Sequence, residues 1–331
     1  MIDKNKIDVL SQISKQMRKA NALQAKLAAK SPIANDDLQM QKNYENERKF
    51  WNEGAAVMSD ICEELVSWQG GKVRTRIYYP TNEDKFNALF FMHGGGWVVG
   101  SIDTHDKIMR NLAAFSGFAV VGIDYSLSPK AKFPQQILEC EAAIEHYIKN
   151  AKRFKILDNF VAYGGDSAGA NLAIATFLHQ RDSKKAYKFV KAMLLYYGIY
   201  GLKDSVSRTL YGNDVDYLRQ QDIKYYYDMY LQNKDDENSP FVNIFNSDLS
   251  GEIPPCFIAS SEFDPLLDDS VALYKILAQN DKSHSYKMYK KTMHAFLHYS
   301  RVMSVAKIAL KDGAKFLNEA LKQKQLNHER G

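Results

Sequence analysis

Apolar residues along this chain collect in short runs at 88–92, 118–125, 160–163, 192–197 and 256–260, and the inner runs are continuous rather than alternating. Strands buried on both faces read this way, because both sides of the pleat meet helices instead of water. A more mixed stretch at 73–79 precedes them and another at 286–289 follows. Helical segments, among them 135–149 and 168–180, lie between the runs. This β-α-β rhythm predicts an α/β fold built on a doubly wound, mostly parallel sheet. Residues 1 to about 60 have helical spacing, with Ile7, Leu10, Ile13, Met17 and Leu23 on one face. The closing stretch 304–321 reads as an amphipathic helix against the sheet's flank.

Residues 201–250 break the rhythm. They hold clustered tyrosines (Tyr225, Tyr226, Tyr227, Tyr230), an acidic run at 235–237 and the turn-like Asn238-Ser239-Pro240, without a strand signal. The expected organisation is a helical cap segment at 1–60, a core at 61–200, a cap insertion at 201–250 and the rest of the core at 251–331. Both cap segments would cover the C-terminal edge of the sheet.

At that edge two strings carry chemistry. Gly165-Asp166-Ser167-Ala168-Gly169 lies between a predicted strand and a predicted helix. It has the form of a nucleophile elbow, in which flanking glycines let backbone pass close by and one hydroxyl is raised above the sheet. His93-Gly94-Gly95-Gly96-Trp97 ends an earlier strand, where a glycine run can aim backbone N–H groups at a developing oxyanion. Gly94 or Gly95 or both, with Ala168, are the expected donors, while His93 and Gly96 would organise the loop. Trp97 is a candidate for substrate contact. Gly94, Gly96 and Gly100 also approach a dinucleotide fingerprint, but the spacing is one residue too long and no acidic partner follows at the right distance.

A serine hydroxyl needs a base and a group to orient it, here in the order Ser, Asp, His. Asp264 follows the run 256–260, with Glu262, Asp268 and Asp269 as rivals, the last two suited to a helix start. His294 follows 286–289, with His298 one helical turn beyond as its competitor. His105, His146, His179, His284 and His328 fall in helical or polar surroundings and read as solvated. The histidines do not pair at metal-ligand spacing, so neither a metal nor a cofactor is expected.

Hydrophobic residues make up 45% of the 331, enough for a large core, and 20 Tyr with 17 Phe offer amphipathic lining for a pocket. The formal charge of +5 is dispersed, with no basic tract, which argues against nucleic-acid binding. Cys62, Cys140 and Cys256 are odd in number and far apart, as buried reduced thiols would be. No apolar run approaches the ~18 residues of a membrane span, and no signal peptide is evident. The expectation is a soluble cytoplasmic protein, with a homodimer as one candidate assembly.

With Asp264-Pro265-Leu266 and His294-Ala295-Phe296, the two glycine strings resemble the signature set of the hormone-sensitive-lipase-like carboxylesterases. Longer matches at 103–106, 262–270 and 294–301 lean towards that family's acetyl esterases. The resemblance runs from about residue 40 to the end of the chain. It implies an α/β-hydrolase fold with a helical cap, hydrolysis of short-chain (acetyl to butyryl) esters, the triad Ser167, Asp264 and His294, and oxyanion donors at Gly94, Gly95 and Ala168. It further implies protein partners from sugar metabolism, a maltose-regulon activator and an α-galactosidase. Three positions depart from the family pattern: Lys130 stands where Glu is usual, and Ala170 and Ala295 where Gly is common. The same triad could also serve amide or carbamate cleavage, or be incidental to a regulatory binding role.

Overall fold

The computed structural model describes residues 5–216 and 218–329. Residues 1–4 of the expected N-terminal helical segment lie outside the described residues, and so does the side chain of His328. The chain runs through α1 (Val9–Gln12), α2 (Lys15–Ala28) and α3 (Asp37–Asn52) into β1 (Asp60–Trp68), β2 (Gly71–Tyr79) and β3 (Phe86–Met92). It continues with α4 (Asp106–Ser116), β4 (Ala119–Asp124), α5 (Gln135–Lys149), β5 (Ile156–Asp166), α6 (Ala168–Asp182) and β6 (Val190–Tyr196). Two helices, α7 (Val206–Leu210) and α8 (Gln220–Tyr230), then precede β7 (Cys256–Phe263), α9 (Leu267–Asn280), β8 (Ser285–Met293) and α10 (Ser304–Glu329).

One eight-stranded sheet results, in the order β1-β2-β4-β3-β5-β6-β7-β8. β1 and β2 pair antiparallel, β2 meets β4 antiparallel, and every later pairing is parallel. All seven residues of β3 except Asn87 are buried, as a strand covered on both sides should be. Alternate residues feed two cores. Phe90 and Met92 join α5, α6 and α9 on one face, whereas Leu89 and Phe91 join α4 and α10 on the other.

β1 has no counterpart in the apolar runs. Its sequence is largely exposed and carries Glu63 and Glu64, because it is an edge strand, where charge discourages further pairing. Cys62 lies on this strand and is exposed, contrary to the expectation of three buried thiols, while Cys140 and Cys256 are buried. Histidines also depart from expectation. His105 and His284 are buried, the latter taking the Cys256 N–H on Nδ1, while His179 is half-buried against Glu141.

The segment between β6 and β7 is fastened where it leaves the sheet. Buried Asp269, in the first turn of α9, accepts the N–H groups of Tyr200 (2.8 Å), Gly201 (3.0 Å) and Leu202 (3.2 Å) on Oδ1, and its Oδ2 lies 3.3 Å from Arg208. Replacing Asp269 with Ala orphans three N–H groups and strands a largely buried guanidinium. Asp269→Ala should therefore lower unfolding stability by about 3–5 kcal/mol in a urea titration.

Candidate active site

At the end of β5 the chain turns sharply into α6, and Ser167 sits on the turn with φ 55° and ψ −123°, a conformation costly for a residue with a side chain. The surroundings enforce it. A Cβ on Gly165 would lie 2.5 Å from the Met92 carbonyl oxygen, and one on Gly169 would lie 2.1 Å from that oxygen and 2.5 Å from the carbonyl oxygen of His93. Only glycine lets the first turn of α6 approach the end of β3 this closely. The Ser167 N–H is fixed by the Tyr196 carbonyl at 2.9 Å.

Two distant residues converge on that turn. His294 Nε2 lies 2.8 Å from Ser167 Oγ, and His294 Nδ1 lies 2.8 Å from Asp264 Oδ2. Asp264 is fully buried after β7, with its Oδ1 taking the Leu266 N–H at 2.8 Å. His294 follows β8 and is held by Ala295 in the left-handed region at φ 58°. That conformation explains why glycine suits position 295; alanine bears roughly 1–2 kcal/mol of strain there. The rivals are engaged elsewhere: Glu262 with the Lys291 N–H, Asp268 with the Ser207 N–H, and Asp269 as described above. His298 Nε2 faces Tyr44 at 3.5 Å.

Burial alone would push the His294 pKa down. The Asp264 carboxylate, with Asp216 and Asp166 farther off, outweighs that and leaves it raised. Asp216 lies in the cavity wall and is itself pushed up to about 6 by burial, against the N–H groups of Asn213 and Leu218.

The glycine loop holds one correction. The Gly94 N–H, expected to face the oxyanion, instead donates to Asp166 Oδ1 at 2.9 Å. A carboxylate one residue before the serine has captured it, as a buried acceptor must find a donor. The N–H groups of Gly95 and Gly96 have no partner among the described residues, and both residues line the cavity in front of Ser167. Ala168, as the first residue of α6, has the free N–H of a helix start. Gly96, expected to organise the loop, thus lies with the candidate donors. His93, expected as a loop organiser, is buried at the start of the loop. Its Nδ1–H donates to the Gly94 carbonyl at 2.9 Å, its ring stacks on Tyr125 at 4.2 Å, and burial with neighbouring His105 pushes its pKa down to about 3. Trp97 borders the cavity but is 1% exposed, stacked on Tyr230 at 4.2 Å.

The sequence reading missed a second buried group behind this loop. Asp166 Oδ1 lies 3.2 Å from His105 Nε2, and the His105 ring packs edge-on against His298. One ligand atom each of His105, Asp166 and His298 lies within 4.8 Å of the others. Burial would raise the Asp166 pKa, but His105 and the Gly94 N–H outweigh it and hold the carboxyl below its usual range. The residue between Gly165 and Ser167 was the available signal, since an acid placed there must be answered by nearby donors.

Ser167 opens into a cavity of about 830 Å³. Its floor is the elbow and the glycine loop. Its walls come from α2 and α3, through Met17, Tyr44 and Arg48, and from the segment after β6, through Val215, Leu218 and Tyr226. Lys130, at the position where the resembled family has Glu, is exposed and lies outside this cavity. No helix among the described residues is long and apolar enough to cross a membrane.

Comparison with known proteins returns the same architecture. A family model described as alpha/beta hydrolase fold matches residues 89–298. An esterase of Pyrobaculum calidifontis is 28% identical with a TM-score of 0.81, over 86% of this chain and 93% of its own. EstE1, a thermostable carboxylesterase from a metagenomic library, is 25% identical with a TM-score of 0.83, over 88% and 99%. Ester-hydrolase EH1AB1 from the Lake Arreo metagenome, at 23% identity and a TM-score of 0.87 over 94% and 99%, shares the fold.

The glycine contacts make a test of the elbow. In Gly169→Ala the new Cβ meets two backbone carbonyls that cannot rotate away, so stability should fall by about 1–3 kcal/mol or more. Thermal melting of the variant beside the parent measures it, and an unchanged melting temperature would mean that the elbow is looser than described.

Proposed function

The chain belongs to the α/β-hydrolase fold family, and from that premise we propose that it is a serine esterase using Ser167 as nucleophile, His294 as base and Asp264 to orient the imidazole. The observation that carries this reading is the unbroken line from Ser167 Oγ through His294 to Asp264, with both links at 2.8 Å. His294 takes the hydroxyl proton as Oγ attacks the ester carbonyl, and Asp264 holds the proton on Nδ1. The N–H groups of Gly95, Gly96 and Ala168 receive the oxyanion, each worth about 2.7–4 kcal/mol in the transition state. The imidazolium returns its proton to the leaving alcohol, and water repeats the cycle on the acyl-enzyme.

Acetyl to butyryl esters are the proposed acyl range. Support comes from the aromatic rings packed against the loop: Trp97 is wedged on Tyr230, and the Tyr226 ring stands where a Cβ on Gly96 would be, 2.4 Å away. In this reading those rings limit the acyl chain, and the alcohol portion lies towards α2 and α3, whose residues line the same cavity. The helices before β1 and the segment after β6 together act as a cap in this reading.

Four measurements test it. Ser167→Ala should lower kcat by about 10⁶ while leaving the fold intact, and a fluorophosphonate probe should label Ser167 in peptide maps. The base must be neutral to accept a proton, so kcat/KM should rise with pH through a group whose pKa is above the ordinary 6.5 of imidazole. A limb at or below that value would contradict the dominance of Asp264 over burial. Rates on p-nitrophenyl esters from acetyl to palmitoyl should be greatest at four carbons or fewer, and a maximum at dodecanoyl or beyond would refute the short acyl pocket.

A further inference from the structure

We propose that His105 Nε2, Asp166 Oδ1 and a ring nitrogen of His298 form a site for one divalent transition-metal ion of the zinc class, beneath the glycine loop. The argument starts from the His105 tautomer. The Thr104 hydroxyl donates its proton to the Ser101 carbonyl at 2.8 Å and accepts the Ser101 N–H at 2.8 Å. His105 Nδ1 lies 2.8 Å from that hydroxyl oxygen and 3.3 Å from the Ser101 carbonyl, and with the Thr104 proton on the carbonyl it is Nδ1 that carries the ring proton. That arrangement leaves Nε2 as a lone pair facing Asp166.

Nε2 lies 3.2 Å from Asp166 Oδ1, yet it is not aligned for a hydrogen bond and counts among the buried atoms without such a partner. Two donor atoms converging at this distance are what a shared metal requires, since neighbouring ligands on a tetrahedral zinc stand roughly 3.4 Å apart when each bond is about 2.05 Å. The candidate ligand atoms all lie within 4.8 Å of one another, and all three residues are buried. Two imidazoles and a carboxylate form the donor set of zinc and iron(II) sites.

The supporting contacts are present as well. Thr104 fixes the His105 ring from its far nitrogen, and the Gly94 N–H holds Asp166 Oδ1, as outer partners of metal ligands do. Asp166 and His298 border the cavity, which supplies an entry path and an open coordination position. Such an ion would tie the nucleophile turn to the glycine loop from behind. The site stands on these contacts alone and does not depend on the ester chemistry.

The test is a titration of chelator-stripped full-length protein with cobalt(II), followed by its visible ligand-field bands, and with zinc by calorimetry. One ion per chain is expected, with affinity reduced at least about tenfold in His105→Gln and in His298→Leu and retained in His294→Gln. Absence of bands and heat in the parent protein would overturn the proposal, as would unchanged affinity in both ligand variants, or loss in His294→Gln, which would put the ion at the triad. Should a ligand variant fail to fold, anomalous scattering at the cobalt edge from crystals of the parent protein decides. A peak among His105, Asp166 and His298 supports the site, and a peak elsewhere or none refutes it.

Discussion

Everything at the catalytic edge depends on how closely α6 is pressed against the end of β3. Gly165 and Gly169 occupy positions where a Cβ would strike the carbonyl oxygens of Met92 and His93, so helix and strand meet backbone to backbone. This contact forces Ser167 into its unusual φ and raises the hydroxyl clear of the sheet. It also brings the glycine loop, which begins at His93, within reach of Asp166. Asp166 captures the Gly94 N–H, and the next two residues, Gly95 and Gly96, line the cavity with Ser167. The serine turn and the glycine loop are thus set by one approach and by two adjacent residues.

Burial by itself gives an imidazole no fixed character; its neighbours decide. His93, His298 and His294 are all buried within one region, and burial lowers the pKa of each. His93 has another histidine beside it and moves down to about 3, and His298, with Arg48 and three histidines around it, falls well below the ordinary value. His294 has Asp264 at 2.8 Å and moves up instead. Three chemically identical side chains are thus driven apart, two towards the neutral form and one towards the protonated form, through the placement of one carboxylate.

The parts of the fold legible in the sequence are those where one physical demand dominates. Strands covered on both faces must be apolar throughout, so β3 through β7 stand out, and α5 was readable to its end residues. Ser167, Asp264 and His294 were readable because each ends a strand on the same edge of a parallel sheet. β1 was not, since an edge strand with Glu63 and Glu64 has no apolar run to reveal it. The Gly94 donor was misplaced for a different reason. Spacing shows that glycines can present N–H groups, but which group is consumed depends on a carboxylate seventy-two residues away. His105 read as solvated because its partner, Asp166, is also remote in the chain and nothing local marks the pair.

The cavity lies on a seam between two cores, and this has a bearing on how the protein can diversify. α1 and α2 rest on one face of the sheet through Val9, Ile13, Met17 and Ala20, which belong to the cluster beneath α4 and α10. The segment after β6 rests on the other face through Leu218, Ile223, Tyr230 and Val242, in the cluster with α5 and α6. The two halves of the roof meet across the cavity through hydrogen bonds such as Tyr225 to Asp37 at 2.7 Å and Ile7 to the Leu210 carbonyl at 3.2 Å. Substitutions along that seam change the space offered to a substrate without disturbing either core. The elbow, by contrast, tolerates no added atom at Gly165 or Gly169. The elbow admits no change while the joint above it does, and the less periodic stretches of the sequence are among those that line the cavity.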